Sequence, residues 1–527
     1  MGQYVPTTLA DLFEYSVKEH ADRLFTGLAD GSPCYTYSQF GEKTREISQI
    51  LASNGIGSRE KVVILSENMP NYSVAMFAIT AFGRVMVPVL PDCSENEVSN
   101  ILTHSEAKAA FASTAQLSKI TKEHMDRLSL VVNMTTFEII KSEPVQSEAS
   151  KSIPSPDDMA AILYTSGTSG NAKGVMLSHR NLCHNLVGIP ELFVCGPGFR
   201  FLSILPIAHT YEMSIGLLLP MASGASVYYL GKTPTPSALI KALAKVRPMG
   251  MCSVPLVIEK IYRNSVMKTI DSSRPLKCLK AIAPGLLYRI IGKKLMKTFG
   301  GSLEVVAIGG AKLDPEVEKF LQMAHFPYLI GYGLTETAPL VCANRLGKKP
   351  VGQTGPSVKG VRIRIDNPDP ATGRGELVVN GPNVMMGYYK DPERTREAFT
   401  EDGWFRTKDL ASIDKDGNVY ITGRLGNMIL GASGENIYPE EIEVVINAIE
   451  GVEESIVKSE NGRLVAIVKM AEGFIDWNSE DGIAKLKESV RVMTNRLVNK
   501  ASQITEVRFI KEPFVKTATQ KIRRFLY

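Results

Sequence analysis

The chain has 527 residues, 44% hydrophobic and 22% charged, with 60 Lys and Arg against 55 Asp and Glu. That length suits roughly three or four units burying about three quarters of their surface, and the composition excludes disordered and collagen-like classes. A net charge of +5 reads as dispersed, which points away from nucleic acid; seven cysteines without CxxC spacing read as reduced core thiols rather than disulfides or zinc ligands.

The opening MGQYVPTTLADLFEY lacks the basic and apolar regions of a signal peptide. The most apolar stretch, Met213 to Leu230, is broken by Gly216, Pro220 and Gly224. No spanning helix is expected, so the chain reads as cytoplasmic, with room for peripheral membrane contact. Residues 8–20 and 43–54 have helical periodicity. KVVILSENM (61–69) predicts a buried strand, NYSVAMFAITAFGR a helix and VMVPVLP a second strand, a βαβ unit that implies a parallel sheet. The pattern recurs through SENEVSNILTHSEA, KAAFAS and LSLVVNM.

Residues 141–157 form a polar Ser/Pro/Glu connection. Beyond it AAILYTS, FRFLSILPI, ASVYYL, GMCSV and LEVVAIGG, each followed by a helical pattern, predict a second doubly wound sheet. From about 352, VKGVRIRID, GELVVN and GNVYITGR predict a small β unit. After Arg424 come a helix (PEEIEVVINAIE), two strands, a helix and a strand, a small α+β module. The expected fold class is therefore α/β, two doubly wound sheets plus a small β unit, followed by a small α+β C-terminal domain. The expected domains are 1–424 and 425–527.

The strongest chemical signal is YTSGTSGNAKG (164–174), directly after the strand AAIL. Its three glycines let the backbone turn tightly and aim N–H groups inward, while Thr165, Ser166, Thr168, Ser169 and Lys173 add donors and charge, the equipment for a polyphosphate. Ala172-Lys173-Gly174 stands where a Walker loop needs Gly-Lys-Ser/Thr. GYGLTET (331–337) sets Tyr332 between two glycines, so its ring can lie against a base. Thr335 and Glu336 just beyond offer a hydroxyl and a carboxylate suited to a hard cation.

YTSGTSGNAKGV resembles the phosphate-binding signature of the adenylate-forming superfamily: acyl-CoA synthetases, nonribosomal adenylation domains and beetle luciferases. Further motifs follow in family order over nearly the whole chain: LPIAHTYE (205–212), AIGGAKL (307–313), GYGLTETAP (331–339), DGWFRTKDLA (402–411), YITGRLGNMI (420–429), GENIYPEEIE (434–443) and KTATQKIRR (516–524).

The resemblance implies roles for particular residues. Thr165, Ser166, Gly167, Thr168, Ser169, Gly170 and Lys173 would hold ATP phosphates. Gly310, Ala311, Gly331, Tyr332 and Gly333 would bind the nucleotide, with Tyr332 stacked on adenine. Thr335 would contact phosphate and Glu336 would bind Mg²⁺. Asp409 would read the ribose with Arg424 nearby, and His209 would lie beside the reacting carboxylate. Lys521 would be the mobile catalytic lysine; Lys516 competes for that role, but the Lys-Ile-Arg-Arg continuation favours Lys521. Gly434 and Glu435 would serve the thioester step, and Gly426 stands at the hinge, where glycine is permissive.

The implied activity is ATP-dependent activation of a carboxylic acid to acyl-AMP, then transfer to CoA. The segments 254–264 and 276–313 resemble long-chain fatty acyl-CoA synthetases, and an apolar tunnel is expected around 209–219 and 308–311. Two alternatives stand beside this reading: transfer to an acyl carrier protein, and a nucleotide-binding relative without turnover. A kinase is disfavoured by the missing Walker loop.

Overall fold

Capping chemistry starts the early helices close to where their periodicity begins. Thr8, Thr36, Ser94 and Ser178 each accept a hydrogen bond from the third backbone N–H of the helix they precede, and the side chain at that position answers the cap. The computed structural model describes residues 5–146, 152–165, 173–231, 235–347, 349–430, 436–460, 462–516 and 522–527.

The described residues form two units, Met1–Arg362 with Val379–Phe405, and Ile363–Val378 with Arg406–Tyr527. The first holds two eight-stranded sheets. One is centred on the parallel strands Lys61–Leu65, Val85–Val89, Ala109–Ala112 and Leu130–Asn133. The other is centred on Arg200–Ser203, Ser226–Tyr229, Gly250–Ser253, Val305–Ile308 and Tyr328–Gly333. The helix Pro70–Thr80 is apolar around nearly its whole circumference and buried throughout except at Asn71, as a helix covered on every side must be. At its start Asn68 donates to Ser203 and to the Leu205 carbonyl, stitching the two sheets together.

Three expectations need correction. AAIL does not join the second sheet: Met159–Thr165 lies in the first, beside Val85–Val89. The phosphate loop does not lead into a helix but into the antiparallel strand Lys173–Ser178, with Thr165 opposite Lys173. Alternating burial cannot reveal a hairpin whose strands are joined by seven residues rather than by a tight turn. The second sheet instead gains Leu24–Leu28 and Pro33–Thr36 from the N-terminus, too short to announce themselves between helical patterns. The cysteines are free as expected, but Cys278 is exposed rather than a core thiol.

The second unit contains a four-stranded sheet, Arg362–Asp366, Gly375–Asn380, Phe405–Ile413 and Val419–Arg424, whose first three strands begin or end across the division from the first unit. Its α+β module packs the helix Pro439–Asn447 on Val452–Glu460 and Arg463–Met470 around Ile442, Ile446, Val457 and Val468. By contacts, the break expected at 424 falls inside this second unit.

Candidate active site

In the first unit, the edge strand Gly387–Tyr388 pairs with Lys173–Ser178, Tyr388 opposite Val175. That register sets the Tyr388 phenol beside the first residue of the neighbouring strand. Lys173 Nζ lies 2.6 Å from Glu336 Oε1 and 2.9 Å from the Tyr388 hydroxyl, which donates to the same carboxylate oxygen at 3.0 Å. The ammonium also sits 4.5 Å from the Tyr388 ring centre, a cation–π contact.

Glu336 is 7% exposed. Burial pushes its carboxyl up, but the Lys173 charge and hydrogen bond, helped by Tyr388, hold it below the ordinary carboxylate value. Burial and the Glu336 charge push the Tyr388 phenol well up, so it remains a neutral donor. The result is an ionised carboxylate and an ammonium locked at the foot of the Ser/Thr/Gly loop. The Thr165 hydroxyl, at the loop's other end, is buried and has no hydrogen-bond partner among the described residues.

The Glu336 loop is held by side chains from other elements. Asn185, on the helix His179–Gly188, donates to the Ala338 carbonyl and accepts from Leu340 N–H. Asn383 donates to the Leu340 carbonyl, and Met385 N–H to the Glu336 carbonyl. Gly333 admits no side chain, because a Cβ there would lie 1.8 Å from the Pro339 carbonyl oxygen.

Gly310 and Ala311 follow the strand Val305–Ile308, while Gly331, Tyr332 and Gly333 end the adjacent Tyr328–Gly333. These predicted nucleotide-binding positions therefore leave neighbouring parallel strands at their carboxyl ends, the usual ligand edge of such sheets. Gly310 has φ +88°, which glycine adopts without strain. Thr335 opens the short helical turn that carries Glu336. His209 is half-buried, and two residues on the Tyr211 hydroxyl donates to the Ala307 carbonyl at 2.7 Å, tying the histidine segment to the end of the strand before Gly310.

Sequence reasoning passed over Tyr388, Asn185 and Glu212. Glu212 is fully buried at the start of a π-helical turn, Glu212–Leu218, inside the stretch expected to be an apolar tunnel wall. Burial pushes its carboxyl up to about 8, and neither of its oxygens has a hydrogen-bond partner among the described residues, although Ser203 and Cys252 lie nearby. A single acid within EMSIGLLLPM was the available signal.

In the second unit Asp409 and Arg424 are cross-strand partners, Arg424 Nε 3.0 Å from Asp409 Oδ1. Asp409 is buried at mid-strand. Gly426 lies in a short turn with open space around it. Lys516 is paired with Glu454 at 2.6 Å. Ser166, Gly167, Thr168, Ser169 and Gly170 of the loop, Gly434 and Glu435, and Lys521 lie outside the described residues.

The family model described as AMP-binding enzyme matches residues 13–389, from the first helix to the residue after Tyr388. The chain belongs to the AMP-binding enzyme family. The long-chain-fatty-acid–CoA ligase FadD15 of Mycobacterium bovis is 29% identical to this AMP-binding enzyme, over 98% of the chain and 94% of its own length. The chloroplastic long-chain-fatty-acid–acyl-carrier-protein ligase AEE15 of Arabidopsis thaliana is 27% identical, over 98% of the chain and 84% of its own. Among solved structures, ATP-bound MatB from Rhodopseudomonas palustris superposes with a TM-score of 0.78 and 24% identity, covering 98% of both chains, and establishes the fold.

Proposed function

We propose that this AMP-binding enzyme activates a long-chain fatty acid with ATP and passes the acyl group to CoA. The observation that carries the reading is the Lys173–Glu336–Tyr388 cluster at the foot of the Ser/Thr/Gly loop, in a family member whose relatives include a long-chain-fatty-acid–CoA ligase.

In the first step a carboxylate oxygen attacks the α-phosphorus, the bond to the β-phosphate bridge breaks, and pyrophosphate leaves. In the second, the thiol of CoA attacks the acyl carbonyl and AMP leaves. The first step brings one anion to another, so it needs positive charge and preorganised donors. Lys173 and the Thr165 hydroxyl stand at the two ends of the loop that would hold the phosphates. Glu336 suits Mg²⁺: among the described residues no cluster of three or more His, Cys, Asp or Glu could hold a metal by itself. An ion that binds through one carboxylate and substrate phosphates fits that setting. Bound there, Mg²⁺ would supply charge neutralisation at the phosphates.

Asp409 with Arg424 would take the ribose, Tyr332 the adenine, and His209 the reacting carboxylate. Lys521 is the preferred catalytic lysine, a choice favoured by the engagement of Lys516 with Glu454. The domain boundary falls at 424, with Gly426 as the hinge and Gly434 and Glu435 brought forward for thiolysis.

Mass spectrometry of products from ATP, Mg²⁺ and a graded fatty-acid panel tests the reading. Acyl-CoA and AMP are expected with CoA present. The AEE15 relative makes a holo acyl carrier protein the second acceptor to assay, and transfer to it in preference to CoA would replace the CoA reading. ATP binding without AMP release would replace both. Lys521→Ala should reduce acyl-AMP formation by about a hundredfold or more while sparing thiolysis of supplied acyl-AMP; equal loss of both would refute its assignment.

A further inference from the structure

The positive charge of this chain is not spread evenly. Between residues 274 and 301 lie Arg274, Arg289 and five lysines, with no Asp or Glu. Those seven charges exceed the whole chain's +5, so this segment carries the entire excess. It folds as two successive helices, Arg274–Ile282 and Pro284–Thr298.

The second helix is firmly seated. Leu287, Tyr288 and Gly292 are buried, Tyr288 meets the Phe320 ring edge-on at 5.2 Å, and a Cβ at residue 292 would lie 2.1 Å from the Ala324 carbonyl oxygen. Seating that face leaves the opposite one outward. Ile282, Leu286 and Ile290 are 84%, 56% and 55% exposed. Positions 286 and 290 share one helix face, and the exposed Lys293, Lys294 and Lys297 continue that face by the same spacing.

Scattered exposed apolar residues are ordinary. Two on successive turns of one helix and a third at the end of the helix before it, bordered by lysines, form the pattern of an interfacial helix pair, which buries its apolar side at the headgroup–acyl boundary and sets its cations among lipid phosphates. A second copy of this chain fits poorly, because a two-fold interface would set each basic face against itself. We propose that the helix pair Arg274–Thr298 is a docking surface for an anionic lipid bilayer, with Ile282, Leu286 and Ile290 as the inserted residues. The inference rests on this surface alone, apart from the catalytic reading.

The test is sedimentation of the full-length protein with phosphatidylcholine vesicles with and without phosphatidylglycerol, in the absence of ATP and fatty acid. Binding to the phosphatidylglycerol vesicles should weaken as salt rises. Combined Lys293→Gln, Lys294→Gln and Lys297→Gln should reduce partitioning by about a hundredfold, near a factor of five for each lost charge. Combined Ile282→Ser, Leu286→Ser and Ile290→Ser should reduce it by about tenfold or more. Thermal melts unchanged from the parent show that these surface variants fold. No binding to the anionic vesicles, or equal binding by parent and variants, would overturn the proposal. So would a parent dimer in light scattering that becomes a monomer in the serine variant, which would give the face to a second copy. Because the assay contains no substrate, its failure leaves the ligase reading untouched.

Discussion

Glu212 and Glu336 are both buried carboxyl groups of the first unit, and their environments drive them in opposite directions. Glu336, on the turn after Tyr328–Gly333, meets an ammonium at 2.6 Å and stays ionised. Glu212, on the π-helical turn after His209, has hydroxyl, thiol and backbone neighbours, and burial lifts it to about 8. At neutral pH the first is an anion and the second mainly a neutral acid. Burial alone therefore does not decide charge in this protein; a compensating cation does. An ionised acid suits cation and phosphate chemistry, whereas a neutral one can line a wall that faces an acyl chain.

The comparison breaks most sharply if the cation is removed. Lys173→Met should strand Glu336 as a buried charge, raise its pKa and destabilise the first unit by about 3–5 kcal/mol. Adenylation, followed as ATP–pyrophosphate exchange, should fall by about a hundredfold or more. An exchange rate within threefold of the parent would show that the pair does not serve the reaction.

The pH dependence of stability tests the other half. Glu212 has a folded pKa above the ordinary 4.5, so its contribution is fully present below that value and is lost as pH rises towards 8. Glu336 is shifted down, so its contribution is present above the ordinary value and is lost on acidification through the folded pKa. Melting temperature followed from pH 5 to 8 should decline less in Glu212→Gln than in the parent. An unchanged decline would mean that Glu212 is not protonated in the fold. A smaller effect is expected at Tyr388. Tyr388→Phe keeps the ring over Lys173 but removes the shared hydroxyl, costing about 1–2 kcal/mol of stability, with adenylation reduced less than in Lys173→Met.

Much of the site was legible because its chemistry is local in sequence. Two glycines and four hydroxyls before Lys173, and Tyr332 through Glu336 after a buried strand, form patterns that can be read within a few residues. Their meeting is not local: Lys173 and Glu336 are 163 positions apart, and Tyr388 lies 215 beyond Lys173. No motif marks Tyr388, which reaches the pair through the register of a two-residue edge strand. Glu212 was hidden differently, as a single acid in an apolar run, where composition suggested an uninterrupted wall.

Hydrophobic periodicity and turn chemistry by themselves determined that this chain alternates strands and helices, that the texture changes after about residue 352, and that an α+β module follows Arg424. The ordered motifs likewise determined the family. Tertiary structure alone decided that Met159–Thr165 belongs to the first sheet, that it pairs as a hairpin with Lys173–Ser178, and which buried carboxyl keeps its charge. Those outcomes depend on strand register and on which polar group ends beside which, and both are set by packing between residues far apart in the chain.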